Sequence, residues 1–119
     1  MHTCLLQKED IEKLLKVELD FSVEQLLELE EAKQYAVILH NDPINGVDFV
    51  VRVIRAVFKY STSKSIWLML KAHFSGKSTL WIGAKHKAKE KQLAMIKHGP
   101  DPQMVSKGAK PLTVTIEPA

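Results

Sequence analysis

The chain has 119 residues, 45% hydrophobic and 26% charged, a balance that fits one globular domain with an appended arm and excludes wholesale disorder. No apolar run approaches the ~20 residues needed to cross a bilayer, and the N-terminus lacks the basic, apolar and small-residue regions of a secretory signal. Net charge is only +3 but is divided: residues 1–33 hold nine acidic and four basic side chains, residues 34–119 five acidic and thirteen basic. That split fits two units with different partners, an acidic arm folding back on a basic body, or ordinary solvated faces. The single cysteine, Cys4, excludes an internal disulfide and a zinc site built on several thiolates, so a reducing, cytoplasmic setting is expected. A chain this short is expected to be a binding module.

Within residues 1–33, Ile11, Leu14 and Leu15 stand at helical spacing. Ser22 and Gln25 form a capping-box pattern, with Phe21 and Leu26 at the positions of a hydrophobic staple, which predicts a helix from about Val23 to Ala32. Tyr35 to His40 is an apolar run of strand length that ends in the turn chemistry of Asn41-Asp42-Pro43. Asn45 is placed to cap a helix from Val47 to Lys59, where Phe49, Val50, Val53, Ile54, Val57 and Phe58 recur with helical period. Ser61 caps a second helix carrying Ile66, Met69, Leu70 and His73 on linked turns, stopped by Gly76. Leu80 to Ile82 suggests a strand, and residues 85–97 a lysine-rich helix with Leu93, Ala94 and Ile96 as apolar contacts. Gly99-Pro100-Asp101-Pro102 ends that helix, a loop follows, and Leu112 to Ile116 alternates as a closing strand. The order β-α-α-β-α-β predicts an α+β fold, a two-layer sandwich in which helices cover a small antiparallel sheet.

Several patterns invite chemistry and most fail a spacing test. Gly76-Lys77-Ser78 resembles the tail of a phosphate-binding loop, but Lys71 stands where that motif needs its earlier glycine, and the helix and strand flank it in the wrong order. The histidines His2, His40, His73, His86 and His98 lack metal-ligand spacing, so no metal or cofactor is expected. Nothing brings Cys4 to a histidine as a nucleophile pair, and an enzyme is not expected. Lys85, Lys87, Lys89 and Lys91 alternate, which spreads them around a helix, and no aromatic platform is interleaved. They read as a solvated face or a protein docking surface more readily than as a nucleic-acid site. His73, late in an apolar helix, is either a core histidine or a polar group at the rim of an apolar pocket.

The run Tyr35 to Ile54, Tyr-Ala-Val-Ile-Leu-His-Asn-Asp-Pro-Ile-Asn-Gly-Val-Asp-Phe-Val-Val-Arg-Val-Ile, resembles the signature of the ClpS family, adaptors of the Clp ATP-dependent protease. The resemblance continues through Leu68-Met69-Leu70-Lys71-Ala72-His73-Phe74-Ser75-Gly76-Lys77, similar to the family's Leu-Met-x-x-x-His-x-x-Gly-Lys, and closes at Leu112 to Glu117. It covers residues 34–119, with a longer loop near 99–110, and leaves residues 1–33 as an acidic N-terminal extension.

The resemblance implies a non-enzymatic adaptor of the same β-α-α-β-α-β fold. Such an adaptor captures proteins by a destabilising, bulky apolar first residue and delivers them to a ClpA- or ClpC-type unfoldase. An α-amino cation needs acceptors. Matching positions assign that role to Asn41 and His73, with Asp42 beside them. The implied pocket is Leu39, Asn45, Val47, Val50, Met69, Ala72 and Leu112, and the implied unfoldase-docking residues are His86 and Lys91. Two departures stand out: Pro43 replaces a second acidic residue, and Val47 replaces a methionine that guards the pocket mouth against β-branched ligands. The rival readings are a divergent family member that modulates the unfoldase without binding N-termini, and a basic ribosome- or RNA-associated domain.

Overall fold

A computed structural model describes residues 22–119. The apolar run forms β1 (Gln34–His40), whose Ala36, Val37, Ile38 and Leu39 are all buried. It reads as a continuous apolar stretch because it is the central strand, in the order β2-β1-β3 with both neighbours antiparallel. Alternate residues face opposite sides of a strand. Val37 and Leu39 join the core beneath the helices, and Ala36 and Ile38 are buried on the other face. β2 (Lys77–Ala84) pairs along the whole of β1, with an irregularity at Val37/Ile38 where Leu80 is the extra residue. β3 (Val114–Pro118) pairs from Leu39↔Val114 to Tyr35↔Pro118. The closing strand thus starts two residues later than its alternation predicts, and Leu112 precedes it as a buried loop residue.

The helices follow their caps. α1 (Val23–Glu31) carries the expected capping box, with the Gln25 amide donating to the Ser22 hydroxyl and the Ser22 amide to the Gln25 side chain. The staple partner Phe21 lies outside the described residues, as do Ile11, Leu14, Leu15 and Cys4. α2 (Val47–Phe58) packs Phe49, Val50, Val53, Ile54 and Phe58 into the core and ends at Lys59 in the left-handed conformation. α3 (Thr62–Ser75) is capped by Ser61, which accepts from the Lys64 amide, and stops at Gly76 with φ 91°, a conformation that glycine alone adopts without strain. α4 (Lys85–Lys97) matches its predicted span.

Three expectations are corrected. Asn45 does not cap α2: Gly46 occupies the cap without a side-chain bond, and Asn45 is buried in a network described below. α3 buries Ser65, Leu68, Met69 and Ala72, leaving Ile66 and Leu70 exposed. α4 buries Ala88 and Met95, while Leu93 is exposed. Periodicity marks an amphipathic helix, but which of two adjacent apolar rows faces inward depends on the neighbours it meets. The element order agrees with the α+β sandwich expected from the sequence. No helix of the described residues is long and apolar enough to cross a membrane.

Candidate functional site

β1 ends at His40, and the chain leaves the sheet through residues 41–46 before α2 begins. α3 approaches the same corner with its last turn. A backbone bond joins the two: the Asn41 amide donates to the Gly76 carbonyl at 2.8 Å, and the Gly76 amide donates to Ala72 at 2.9 Å. Asn41 thereby stands beside the end of the helix that carries His73. The left-handed turn at Gly76 makes this docking available, and any side chain there would cost about 1–2 kcal/mol of strain.

Between them lies a hollow lined by Leu39, His40, Asn41, Asp42, Asn45, Val47, Val50, Met69, Ala72 and His73. The structure thus brings nine of the ten sequence-derived amine-site and pocket residues to one place. The exception is Leu112, which is buried in the core and does not line the hollow. The wall from Leu39, Val50, Met69 and Ala72 is apolar and buried, and Val47, 51% exposed, stands at the mouth. His73 is exposed at the rim, not a core histidine, and the exposed Phe74 meets its ring edge-on at 4.9 Å. Among the described residues, neither the Asn41 amide group nor the His73 ring has a side-chain hydrogen-bond partner. Both can serve a ligand.

Asp42 is differently placed. One carboxylate oxygen accepts from the amides of Ile44 and Asn45, both at 2.9 Å, and the other accepts from the Asn45 side chain. It brings a fixed negative charge to the hollow while bracing its own turn. Asn45 is no apolar wall: it is 5% exposed, and its amide bonds Asp42, the Lys110 carbonyl at 2.8 Å and the Asp101 amide at 2.8 Å. Pro43 does not reach the hollow. It lines a neighbouring depression that shares Asn41 and Asp42 with the hollow and adds Gly108, Lys110, Pro111 and Thr113.

Free space in the hollow is about 20 Å³, room for about one water. Met69 is the wall residue best able to enlarge it, being unbranched and adaptable. Val47 and Met69 also line a second, larger hollow with Val51, Arg52 and Ile66.

Two lining or bracing residues escaped the sequence reading. His40 lines the hollow and is held by a 2.8 Å bond between its Nε2 and the Thr115 hydroxyl; its position just before Asn41 was the available signal. Asp101, 5% exposed, had no local signal.

The implied docking pair is not brought together. His86 is exposed, whereas Lys91 is half-buried with its ammonium 5.4 Å from the Phe58 ring and 5.2 Å from Trp81. Five positions separate the two on α4, which puts them about 140° apart around the axis. Among the described residues, no cluster of His, Cys, Asp and Glu could hold a metal ion.

Fold and hollow together define a small α+β domain with an apolar depression between a strand end and two helices, rimmed by hydrogen-bonding side chains. The family model for the ATP-dependent Clp protease adaptor protein ClpS matches residues 30–115. The chain belongs to the ClpS family, and family members are adaptors of the Clp protease. It is 30% identical over 86 residues to the ClpS adapter of Streptomyces avermitilis, covering 71% of this chain and 82% of that one. The Streptomyces coelicolor ClpS adapter is 28% identical, with 71% and 90% covered. Among solved structures, Agrobacterium tumefaciens ClpS2 bound to L-phenylalaninamide superimposes with a TM-score of 0.64 at 30% identity, covering 74% of this chain and 99% of that one.

Proposed function

We propose that this adaptor captures substrate proteins through a free α-amino group and an apolar first side chain, and hands them to a ClpA- or ClpC-type unfoldase. The observation that carries the reading is the pairing of Asn41 and His73, both without side-chain partners among the described residues, over an apolar hollow. An ammonium has three donors and a positive charge. The Asn41 carbonyl and an unprotonated His73 nitrogen can accept from it, and the Asp42 carboxylate supplies opposite charge. The first side chain then enters between Val47, Val50, Met69 and Ala72, with Met69 shifting to admit it. Burying a leucine or phenylalanine side chain contributes about 1.5–3 kcal/mol. The Agrobacterium relative's ligand, an aromatic residue with a free α-amino group, has this chemistry. On this reading residues 34–119 are the adaptor domain, residues 1–33 an acidic extension, and the exposed face of α4 that carries His86 the unfoldase side.

The test is a pair of peptides beginning with Leu or Phe, each with a free and an acetylated N-terminus. The free forms are expected to bind much more tightly than the acetylated forms, since an amide has lost the charge and two of the donors. Equal affinity would overturn the amine reading. A salt titration of the same binding separates it from RNA association, which weakens steeply through counterion release.

A further inference from the structure

The turn that carries Asn41 and Asp42 is tied to a loop that lies more than fifty residues away in sequence. The Asp101 amide donates to Asn45 Oδ1 at 2.8 Å, and the Gly46 amide donates back to Asp101 Oδ2 at 3.2 Å. The second carboxylate oxygen of Asp101 accepts from the Gln103 amide at 3.0 Å, and its carbonyl accepts from the Met104 amide at 2.9 Å. Asn45 sends its two amide hydrogens to the Lys110 carbonyl and the Asp42 carboxylate. Both side chains are 5% exposed. A Cβ at position 46 would sit 2.9 Å from Asp101 Oδ2, so the close approach requires Gly46.

We infer that Asn45 and Asp101 are positioning residues, a clamp through which the loop 99–110 sets the amine-binding turn. The inference rests on the amine reading above. Its logic is a continuous series of bonds. Asp101 is fixed by its own loop, it orients Asn45, and Asn45 holds the Asp42 carboxylate that in turn braces the amides of Ile44 and Asn45. The same clamp fixes Gly46, the residue from which α2 starts, and hence the placement of Val47 at the mouth. Without it, Asp42 and Asn41 sit on a short turn free to sample other conformations, and a binding site loses affinity when its ligands must be ordered at each binding event.

The experiment compares the natural chain with Asp101→Ala and with Asp101→Asn, whose remaining carbonyl oxygen can still accept from Gly46. Amide hydrogen exchange is measured without ligand, and affinity is measured for the free and acetylated Leu peptides. In Asp101→Ala, the Gly46, Ile44 and Asn45 amides should exchange at least about tenfold faster, and the free-to-acetylated affinity ratio should fall about tenfold, the effect of one net hydrogen bond. Asp101→Asn should recover part of both. A general loss of stability would lower both affinities by one factor and leave the ratio unchanged, so an unchanged ratio overturns the positioning role. Unchanged exchange at Gly46, Ile44 and Asn45 overturns the clamp itself, whatever the peptides do. A natural chain that binds both peptides equally overturns the amine reading and this role with it, an outcome visible apart from the exchange result.

Discussion

The Asp101 amide and the Asn45 side-chain oxygen meet at 2.8 Å across a separation of 56 residues, both buried. That bond joins the loop after the lysine-rich helix to the turn before α2, two segments whose local sequences show only turn chemistry. It accounts for two departures from the sequence reading together. Asn45 leaves α2 uncapped because its amide is committed elsewhere, and Gly46 takes the cap position because a side chain there would collide with Asp101.

His73 offers the first prediction. Its ring is exposed at the rim, and a neutral imidazole offers one acceptor nitrogen. His73→Ala should bind a free-amine Leu peptide about tenfold more weakly, the effect of one net hydrogen bond, with calorimetry as the measurement. An unchanged affinity in the variant would remove His73 from the amine site.

Val47 stands half-exposed at the mouth, where a longer side chain could reach over the hollow. The natural chain should therefore accept Ile and Val at the first position nearly as well as Leu. Val47→Met should cost the β-branched peptides about 1–3 kcal/mol relative to Leu, the scale of a small misfit in an apolar pocket. A competition assay with four peptides differing only at residue one checks this. Strong rejection of Ile and Val by the natural chain would remove position 47 as the gate.

Pro43 and Asp42 should separate cleanly. Pro43 does not line the hollow; it lines a depression beside Lys110 and Pro111 that shares Asn41 and Asp42 with the hollow. Pro43→Asp should shift peptide affinity by less than about 0.5 kcal/mol, as for an exposed substitution outside the site. Asp42→Ala removes the acceptor for two backbone amides and for Asn45, and should lower both affinity and thermal stability. A large gain from Pro43→Asp would mean that the turn rearranges around the ligand.

Tyr60 gives a stability test remote from the hollow. Its hydroxyl donates to the Leu80 carbonyl at 2.8 Å, and its ring stacks on Phe58 at 5.4 Å. Burial pushes the phenol above the ordinary tyrosine value. The folded state therefore disfavours the phenolate. Its contribution is complete below the unfolded value of about 10 and drains away as pH rises through the higher folded value. Tyr60→Phe should cost about 1 kcal/mol at neutral pH and lose less stability than the natural chain on going to alkaline pH. Urea unfolding of both proteins at the two conditions measures it.

Much of the fold was legible because its signals are local. The Ser22–Gln25 box, the Ser61 cap and the Gly76 stop each depend on side chains and backbone within a turn of one another. The membership of the hollow was legible for a different reason. Asn41, His73 and the apolar residues around them sit in the motif spacing that resembles ClpS, and the Asn41–Gly76 backbone bond closes that spacing into one corner.

Tertiary structure decided what local pattern leaves open. It chose Leu68 over Ile66 and Met95 over Leu93 as buried residues, because an apolar row becomes core only by meeting a partner surface. It moved Leu112 out of the hollow's lining and into the core, and left Pro43 outside that lining. It also gave Asn45 its three partners. A buried amide must satisfy its donors and acceptor, and the groups that do so here, the Lys110 carbonyl and the Asp101 amide, come from a distant loop that no window of sequence around Asn45 contains.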